Sequence, residues 1–301
     1  MAQHDYNVSN ANGSTVRSDM NAALTAILTA NSGPSAPTVT APFAKWADTS
    51  AGKLRMRDSL DSSWLYAAQA LGLGGALTKI TKFDGAPVGG QLSITFTAQP
   101  ETEYVIVEVQ GGGGPGVRAG AAGSATCHIA GAGGMSGAYC KAIITSGFQS
   151  VPVIVGGGGF GNIGLGKPSK FGSLVFCGGG YGGYQVATSP LPVISGGGAP
   201  GVSISLDSGV IPLASIERRR GKPGFVFSST LGVAGDGADS PMGPGARGAV
   251  ITASGYSNGN AAPAGGYGAG GSGSYIIGSA SSPLLLGGDG GGGCVIVYEF
   301  S

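Results

Sequence analysis

The chain has 301 residues, of which only 10 % are Asp, Glu, Lys or Arg, a formal net charge of +1 and a mean hydropathy of +0.22. So even a charge balance gives no field for nucleic acid or an anionic membrane, no apolar run reaches the roughly 18 residues of a membrane span, and Met1-Ala2-Gln3-His4-Asp5-Tyr6 lacks the basic segment and apolar core of a secretory signal. The expectation is a protein assembled in a cytoplasm, without a nucleic-acid partner and without export by a standard signal.

In chain order, the first pattern is helical. Val16, Met20, Ala23, Ile27 and Ala30 recur at helical spacing with Leu24 and Leu28 alongside, so residues 14–30 are read as an amphipathic helix capped by Ser14. Barely two heptads long, it is too short to be stable alone. The stripe of Val16, Met20, Leu24 and Ile27 is therefore expected to be buried against another copy or another protein. Asn31-Ser32-Gly33-Pro34 ends the helix, and a Pro/Thr-rich stretch to Pro42 reads as an extended linker. Residues 43–47, 53–57 and 64–66 then alternate as strands around polar turns, a small meander with Trp46 and Trp64 as its core.

Nine of the 62 glycines lie before residue 111, which leaves 53 in the last 191 residues. Ordering a glycine costs about 0.5–1 kcal/mol relative to alanine, so this region is either disordered or needs a geometry that nothing larger allows. Disorder goes with high charge and low hydrophobicity. Here only 15 of the 191 residues are charged, and the apolar runs Tyr104–Val109, Val151–Val155, Leu174–Cys177, Pro192–Ile194 and Cys294–Tyr298 adjoin glycine runs. Strands feeding into glycine-lined segments is the reading. Runs such as Gly111–Gly114 suit an extended helix with three residues per turn and about 3.1 Å rise, and such helices can pack side by side through weak Cα–H···O contacts. Collagen is excluded because no strict triplet runs through the region; tight turns in an ordinary β domain are the alternative. The fold class expected is mostly β with an N-terminal α-helix: a small β-meander followed by a glycine-rich, polyglycine-II-like domain. The boundaries read as 1–33 (helical segment), 34–70 (linker and meander), 71–90 (linker) and 91–301 (glycine-rich domain). Tyr104–Val109 and Cys294–Phe300 are expected to be antiparallel neighbours that clip the domain's entry to its exit.

The run Asn12-Gly13-Ser14-Thr15-Val16-Arg17-Ser18-Asp19-Met20-Asn21, the Ser/Pro/Thr spacer, and Trp46-Ala47-Asp48-Thr49 with Gly52-Lys53-Leu54, Arg57 and Trp64 resemble the amino-terminal part of tail fibre proteins of tailed bacteriophages. The carboxy-terminal part, ending in Gly290–Gly293 and one apolar strand, resembles the glycine-rich tip domains of such fibres. The resemblance implies a virion protein of the tail, attached to other phage tail proteins by its amino end, commonly a homotrimer. It further implies a sandwich of polyglycine II helices whose loops bind a host surface glycan or outer-membrane receptor. A purely structural tail component and a surface-polysaccharide depolymerase are the other classes weighed.

A rigid glycine scaffold offers few side chains, so specificity is expected in the segments between glycine runs, Tyr181–Ile194, Ser203–Phe227 and Thr252–Tyr267. Tyr181, Tyr184, Tyr256 and Tyr267 suit the apolar faces of sugars, and Arg218, Arg219 and Arg220 with Lys222 suit phosphate or carboxylate groups. Catalysis, metal and cofactors are not expected. Gly161–Lys167 matches a phosphate-binding loop until Pro168 stands where a hydroxyl is required. Asp236 and Asp239 form a carboxylate pair read as a solvated loop, and Cys127, Cys140, Cys177 and Cys294 read as buried thiols without zinc spacing.

Overall fold

A computed structural model of the chain describes residues 3–8, 10–66, 75–118, 127–160, 164–183, 192–196, 203–252, 255–257, 266–279 and 285–301. The chain divides into two units, Met1–Thr78 with Phe300–Ser301, and Lys79–Glu299.

In the first unit, α1 (Gly13–Leu28) is capped not by Ser14 but by Asn12, whose side-chain oxygen accepts the Thr15 N–H at 3.0 Å and the Ser14 hydroxyl at 2.7 Å. Both residue types cap well; Asn12 takes the position because Gly13 already begins the helix. The end is closed by Ala30 and Asn31 at φ 51° and 49°, with the Asn31 N–H on the Ala26 carbonyl at 2.7 Å. Only Ala26 of α1 is buried; Met20, Leu24 and Ile27 remain 51, 60 and 61 % exposed and Val16 is half-buried.

Strands β1 (Lys45–Asp48), β2 (Lys53–Arg57) and β3 (Trp64–Tyr66) form the expected antiparallel meander. Trp46 and Trp64 meet edge-on at 5.5 Å, and Arg55 and Arg57 lie over their rings at 5.9 and 5.3 Å. The start of the 34–42 stretch is anchored, since Gly33 bonds to Ala47 and Thr49 through its backbone and its carbonyl accepts the Trp46 indole N–H at 3.0 Å. Asp48, buried at the first turn, accepts the Ser50 hydroxyl and the Ser50 and Ala51 N–H groups and pairs with Arg55 at 3.1 Å. The Ser50 hydroxyl foremost, then Ala51 and Arg55, hold its carboxyl down to about 2.

The stretch 71–90, read as a linker, carries β4 (Leu77–Phe83). With β6 (Tyr104–Gln110), β8 (Tyr139–Ile144), β14 (Val210–Ile216) and β20 (Cys294–Phe300) it forms a five-stranded sheet of order β14-β8-β6-β20-β4. A second sheet, β13-β11-β10-β9-β5, comprises β5 (Gln91–Thr97), β9 (Ser150–Gly156), β10 (Ser169–Phe171), β11 (Val175–Cys177) and β13 (Ile204–Leu206). Alternation in β6 sends Val105, Val107 and Val109 into a core shared with Phe96, Val153, Phe171, Val175, Val295 and Val297. Strands β6 and β20 are neighbours, as expected. Glu299 binds the Gln99 N–H and the Thr102 hydroxyl ahead of β6, whereas Gly293 abuts the Gln110 carbonyl at its end, so the two run in opposite directions.

Beyond Gln110 the strands give way to a lattice of extended glycine segments. The N–H groups of Gly111, Gly114 and Val117 bond to Ala138, Met135 and Ala132 of the segment 131–138; those of Gly113 and Gly116 bond to Gly291 and Gly288 of 287–293; Gly112 bonds to Lys167. In return, carbonyls of 111–117 accept N–H groups from Gly180, Gly159, Gly271 and Ser274, which belong to three further segments. Every third residue thus addresses the same neighbour. That is the signature of a three-residue helical turn, and three donor plus three acceptor neighbours give hexagonal packing. The segment 131–138 repeats the rule: Gly131, Gly134 and Gly137 bond to Ser274, Gly271 and Gly268; Gly133 and Ser136 to Lys222 and Arg219; Met135 and Ala138 to Tyr181 and Gly178. The contacts are conventional N–H···O bonds of 2.7–3.0 Å, stronger than the Cα–H···O contacts expected.

Candidate recognition surfaces

The lattice gives the second unit two unlike ends. At one end the outer termini of β4 and β20 carry the chain in and out, held by Glu299 with Gln99, Thr102 and Lys79. At the other, 111–117, 131–138 and 219–224 run from β6, β8 and β14 towards two smaller sheets. One is β18-β19-β7, built from β7 (Cys127–Ala130), β18 (Gly255–Ser257) and β19 (Tyr275–Ser279). The other is β12-β15-β16-β17, built from β12 (Val193–Ile194), β15 (Phe225–Ser228), β16 (Leu231–Val233) and β17 (Val250–Ile251).

Cross-strand partners share a face, and in the four-stranded sheet Ile194, Phe225, Val233 and Val250 pair in one row across all four strands. Val226, between Phe225 and Phe227, points the opposite way and is fully buried. Phe227 stacks on Phe225, centroids 6.0 Å apart and planes 10° from parallel. Ile194, Phe227 and Val250 are 57, 54 and 67 % exposed. The result is an apolar, partly aromatic face on the sheet's solvent side, carrying no charged side chain among the described residues. Phe-Val-Phe is the alternation of a half-buried strand, a signal that reading Ser203–Phe227 as a loop passed over.

That stretch is not a loop. It holds β13, β14 and the lattice segment 219–224 before entering β15. Arg218 lies over the Tyr181 ring at 4.3 Å and donates from Nε to the Gly179 carbonyl at 2.6 Å, while the Tyr181 carbonyl accepts the Met135 N–H. The Arg219 carbonyl accepts the Ser136 N–H at 3.0 Å, and the Arg219 N–H donates to the Ser136 hydroxyl at 2.9 Å. The Arg219 and Arg220 side chains are exposed. Tyr267 sits at the sandwich end of the lattice rather than with the small sheets: its hydroxyl donates to Asp84 at 2.5 Å and accepts from Lys82 at 2.7 Å, and Lys82 lies over its ring. Hydrogen bonds to Asp84 and then Tyr267 raise the Lys82 ammonium above its usual range. Tyr256 pairs with Ile276 through its β18 backbone, its side chain lying outside the described residues, as does all of Tyr184.

The chemical motifs dissolve into the scaffold. Lys167 continues a lattice segment, giving its N–H to Gly157 and accepting from Gly112, and Pro168 leads into β10 rather than a helix; residues 161–163 of that motif lie outside the described residues. Asp236 pairs with Lys222 at 2.7 Å and Arg247 at 3.5 Å and accepts the Gly248 N–H, and Asp239 accepts the Gly245 N–H. On the outer face of the sandwich Glu108 binds Lys141 and Tyr139; burial alone would raise its carboxyl, and these partners outweigh it and lower it. Cys140, Cys177 and Cys294 are free and buried, burial pushing the Cys140 and Cys294 thiols up to about 11 and about 12. Among the described residues no His, Cys, Asp and Glu cluster could hold a metal ion.

One further residue is structural. Gln110, fully buried where β6 meets the lattice, donates its amide N–H groups to the carbonyls of Gly137 at 3.0 Å and Ala138 at 3.2 Å. Its sequence mark is a lone polar residue between an apolar strand and a glycine run. No protein-family model matches the chain, and no curated protein matches it.

Proposed function

We propose that this chain is a receptor-binding tail fibre or tail-tip protein of a tailed bacteriophage, attached to the tail through its first unit and to a host surface molecule through its second. The observation that carries the reading is the polarity of the second unit. The chain enters and leaves at one end, and a hydrogen-bonded glycine lattice separates that end from small sheets that expose Phe227, Ile194 and Val250. An exposed aromatic and aliphatic face on a rigid support loses little conformational freedom on binding. The exposed stripe of Met20, Leu24 and Ile27 on α1 supports the attachment half, since a face of this kind on so short a helix gains stability only when covered.

The test is adsorption of the labelled full chain to a panel of bacterial strains. Saturable binding to some strains is expected, and Phe227→Asp, which changes a half-exposed side chain stacked on Phe225, should abolish it while lowering the melting temperature by no more than a few degrees. Adsorption to no strain, or equal adsorption by the variant, would overturn the receptor-binding assignment. Ile27→Asp should leave adsorption intact and abolish incorporation into virions; normal incorporation would contradict the role given to α1.

A further inference from the structure

The sandwich of the second unit has two outer faces, and they are unlike. On the sheet β13-β11-β10-β9-β5 the registers place Ser93, Ile154, Lys170, Phe176 and Ser205 in one row across all five strands, with Thr95 and Pro152 in the next. Such a mixture is what an antiparallel sheet turns to water. On the sheet β14-β8-β6-β20-β4 a row runs Ile211, Ile143, Ile106. Alternation with the core residues Val295, Val297 and Phe83 puts Ile296, Tyr298 and Ile80 on the same outer face. Ile211 and Ile80 are 54 and 56 % exposed, and the other four are half-buried. Every strand of this sheet thus contributes an isoleucine to one face, the arrangement of an interaction site rather than of single exposed residues.

The charges on this face come in pairs. Glu108, on the middle strand β6, and Lys141, on β8 beside it, are 3.0 Å apart, with Tyr139 donating to Glu108 at 2.8 Å and Lys141 over the Tyr298 ring at 5.6 Å. Lys82, at the lattice end of β4, is engaged by Asp84 at 2.8 Å and by Tyr267. An ion pair at the centre of an apolar face restricts what can cover it, because a purely aliphatic cover would strip both charges of water and replace nothing. We infer that a second copy of this chain covers the face, as a twofold dimer of the second unit. A twofold contact is isologous, so the centre of one face meets the centre of the other and each Glu108 is brought to the Lys141 of the other copy. Five strands about 4.8 Å apart and six residues at about 3.3 Å cover about 24 by 20 Å. Two copies then bury about 1,000 Å² together, the size at which contacts become specific. The inference is independent of the host-binding reading and of helix α1, and its twofold axis differs from the threefold association that the tail-fibre resemblance implies.

The experiment is sedimentation equilibrium of the full chain, with Ile27→Asp present throughout so that α1 contributes nothing. This parent, 29.1 kDa as a monomer, should sediment as a dimer at micromolar concentration. Glu108→Lys and Lys141→Glu each set like charges against each other at the centre of the contact and should raise the dissociation constant by about 100-fold or more. Mixed in equal amounts, the two variants should form heterodimers, since two lysines of one copy then face two glutamates of the other. Recovery in the mixture also shows that both variants are folded. Ile211→Asp, on the half-exposed edge of the face, should weaken the dimer by about tenfold or more, whereas Thr95→Asp, exposed on the opposite outer face, should leave it intact. A parent that stays monomeric at its highest soluble concentration, or one that forms a trimer, would overturn the inference. So would a mixture of the two charge variants that stays monomeric, or an Ile211→Asp chain that dimerises like the parent.

Discussion

Replacing Gly113 by alanine should break the lattice in the segment 111–117, which bonds to six neighbouring segments. The added Cβ would lie 1.8 Å from the Ala269 carbonyl oxygen, where contacts under 3.0 Å essentially never occur, so the segments must part by more than 1 Å. Three hydrogen bonds converge there: Gly113 N–H to Gly291, Gly159 N–H to Gly113, and Gly291 N–H to Ala269, each 2.8 Å. At about 1 kcal/mol net for each bond and about 1–3 kcal/mol for overpacking, the cost is about 4–6 kcal/mol. At roughly 2–4 °C per kcal/mol for a unit of this size, the melting temperature should fall by roughly 8–24 °C. Gly209→Ala is the control, because Gly209 has no atom within 4 Å of its Cβ position; it should be neutral or stabilising by about 0.4–1 kcal/mol. Calorimetry of the parent and both variants decides the matter. A Gly113→Ala protein melting within about 2 °C of the parent would refute the close packing on which the account is built.

Three further outcomes follow from local chemistry. Because the Asp48 carboxyl is held down to about 2 in the folded unit against an ordinary 3.8, its stabilising contribution is complete above about pH 4 and is lost as pH falls towards 2; fluorescence of the Trp46/Trp64 pair should report acid weakening in the parent that Asp48→Asn lacks. Tyr267→Phe removes the hydroxyl shared by Lys82 and Asp84, a partly exposed pair worth about 1 kcal/mol after screening, and calorimetry should show a loss of a few degrees. At pH 8 a thiol reagent should leave Cys140, Cys177 and Cys294 unmodified in the native protein and modify all of them in denaturant, as peptide mapping would show.

How much was legible depended on whether side chains did the specifying. The alternation of Val105, Val107 and Val109, and of Val295 and Val297, marks β6 and β20 because each strand buries one face. The helix and the meander were equally plain, with Trp46 and Trp64 meeting as expected. The partners of the lattice segments were not, since glycine leaves no pattern to match and the pairing is set by backbone geometry. The basic stretch misled for the same reason. Only the inward positions of 219–224 must be glycine, namely Gly221 and Gly224, so the outward ones tolerate Arg and Lys and look like a loop. Of the tyrosines expected at a binding surface, Tyr181 packs beneath Arg218 and Tyr267 bonds Lys82 and Asp84, because a phenol beside bare backbone finds intramolecular partners. The row from Ile194 to Val250 was invisible because its members are scattered over four strands.

The central claim, a lattice in which extended glycine segments are held by hydrogen bonds outside any sheet, is tested most directly by residue-resolved amide hydrogen exchange. Gly112, Gly113 and Gly114 should exchange as slowly as Val107 in β6, opening only when the second unit unfolds, while Gly209 should exchange far faster. Exchange at Gly113 as fast as at Gly209, with Val107 still protected, would contradict the lattice.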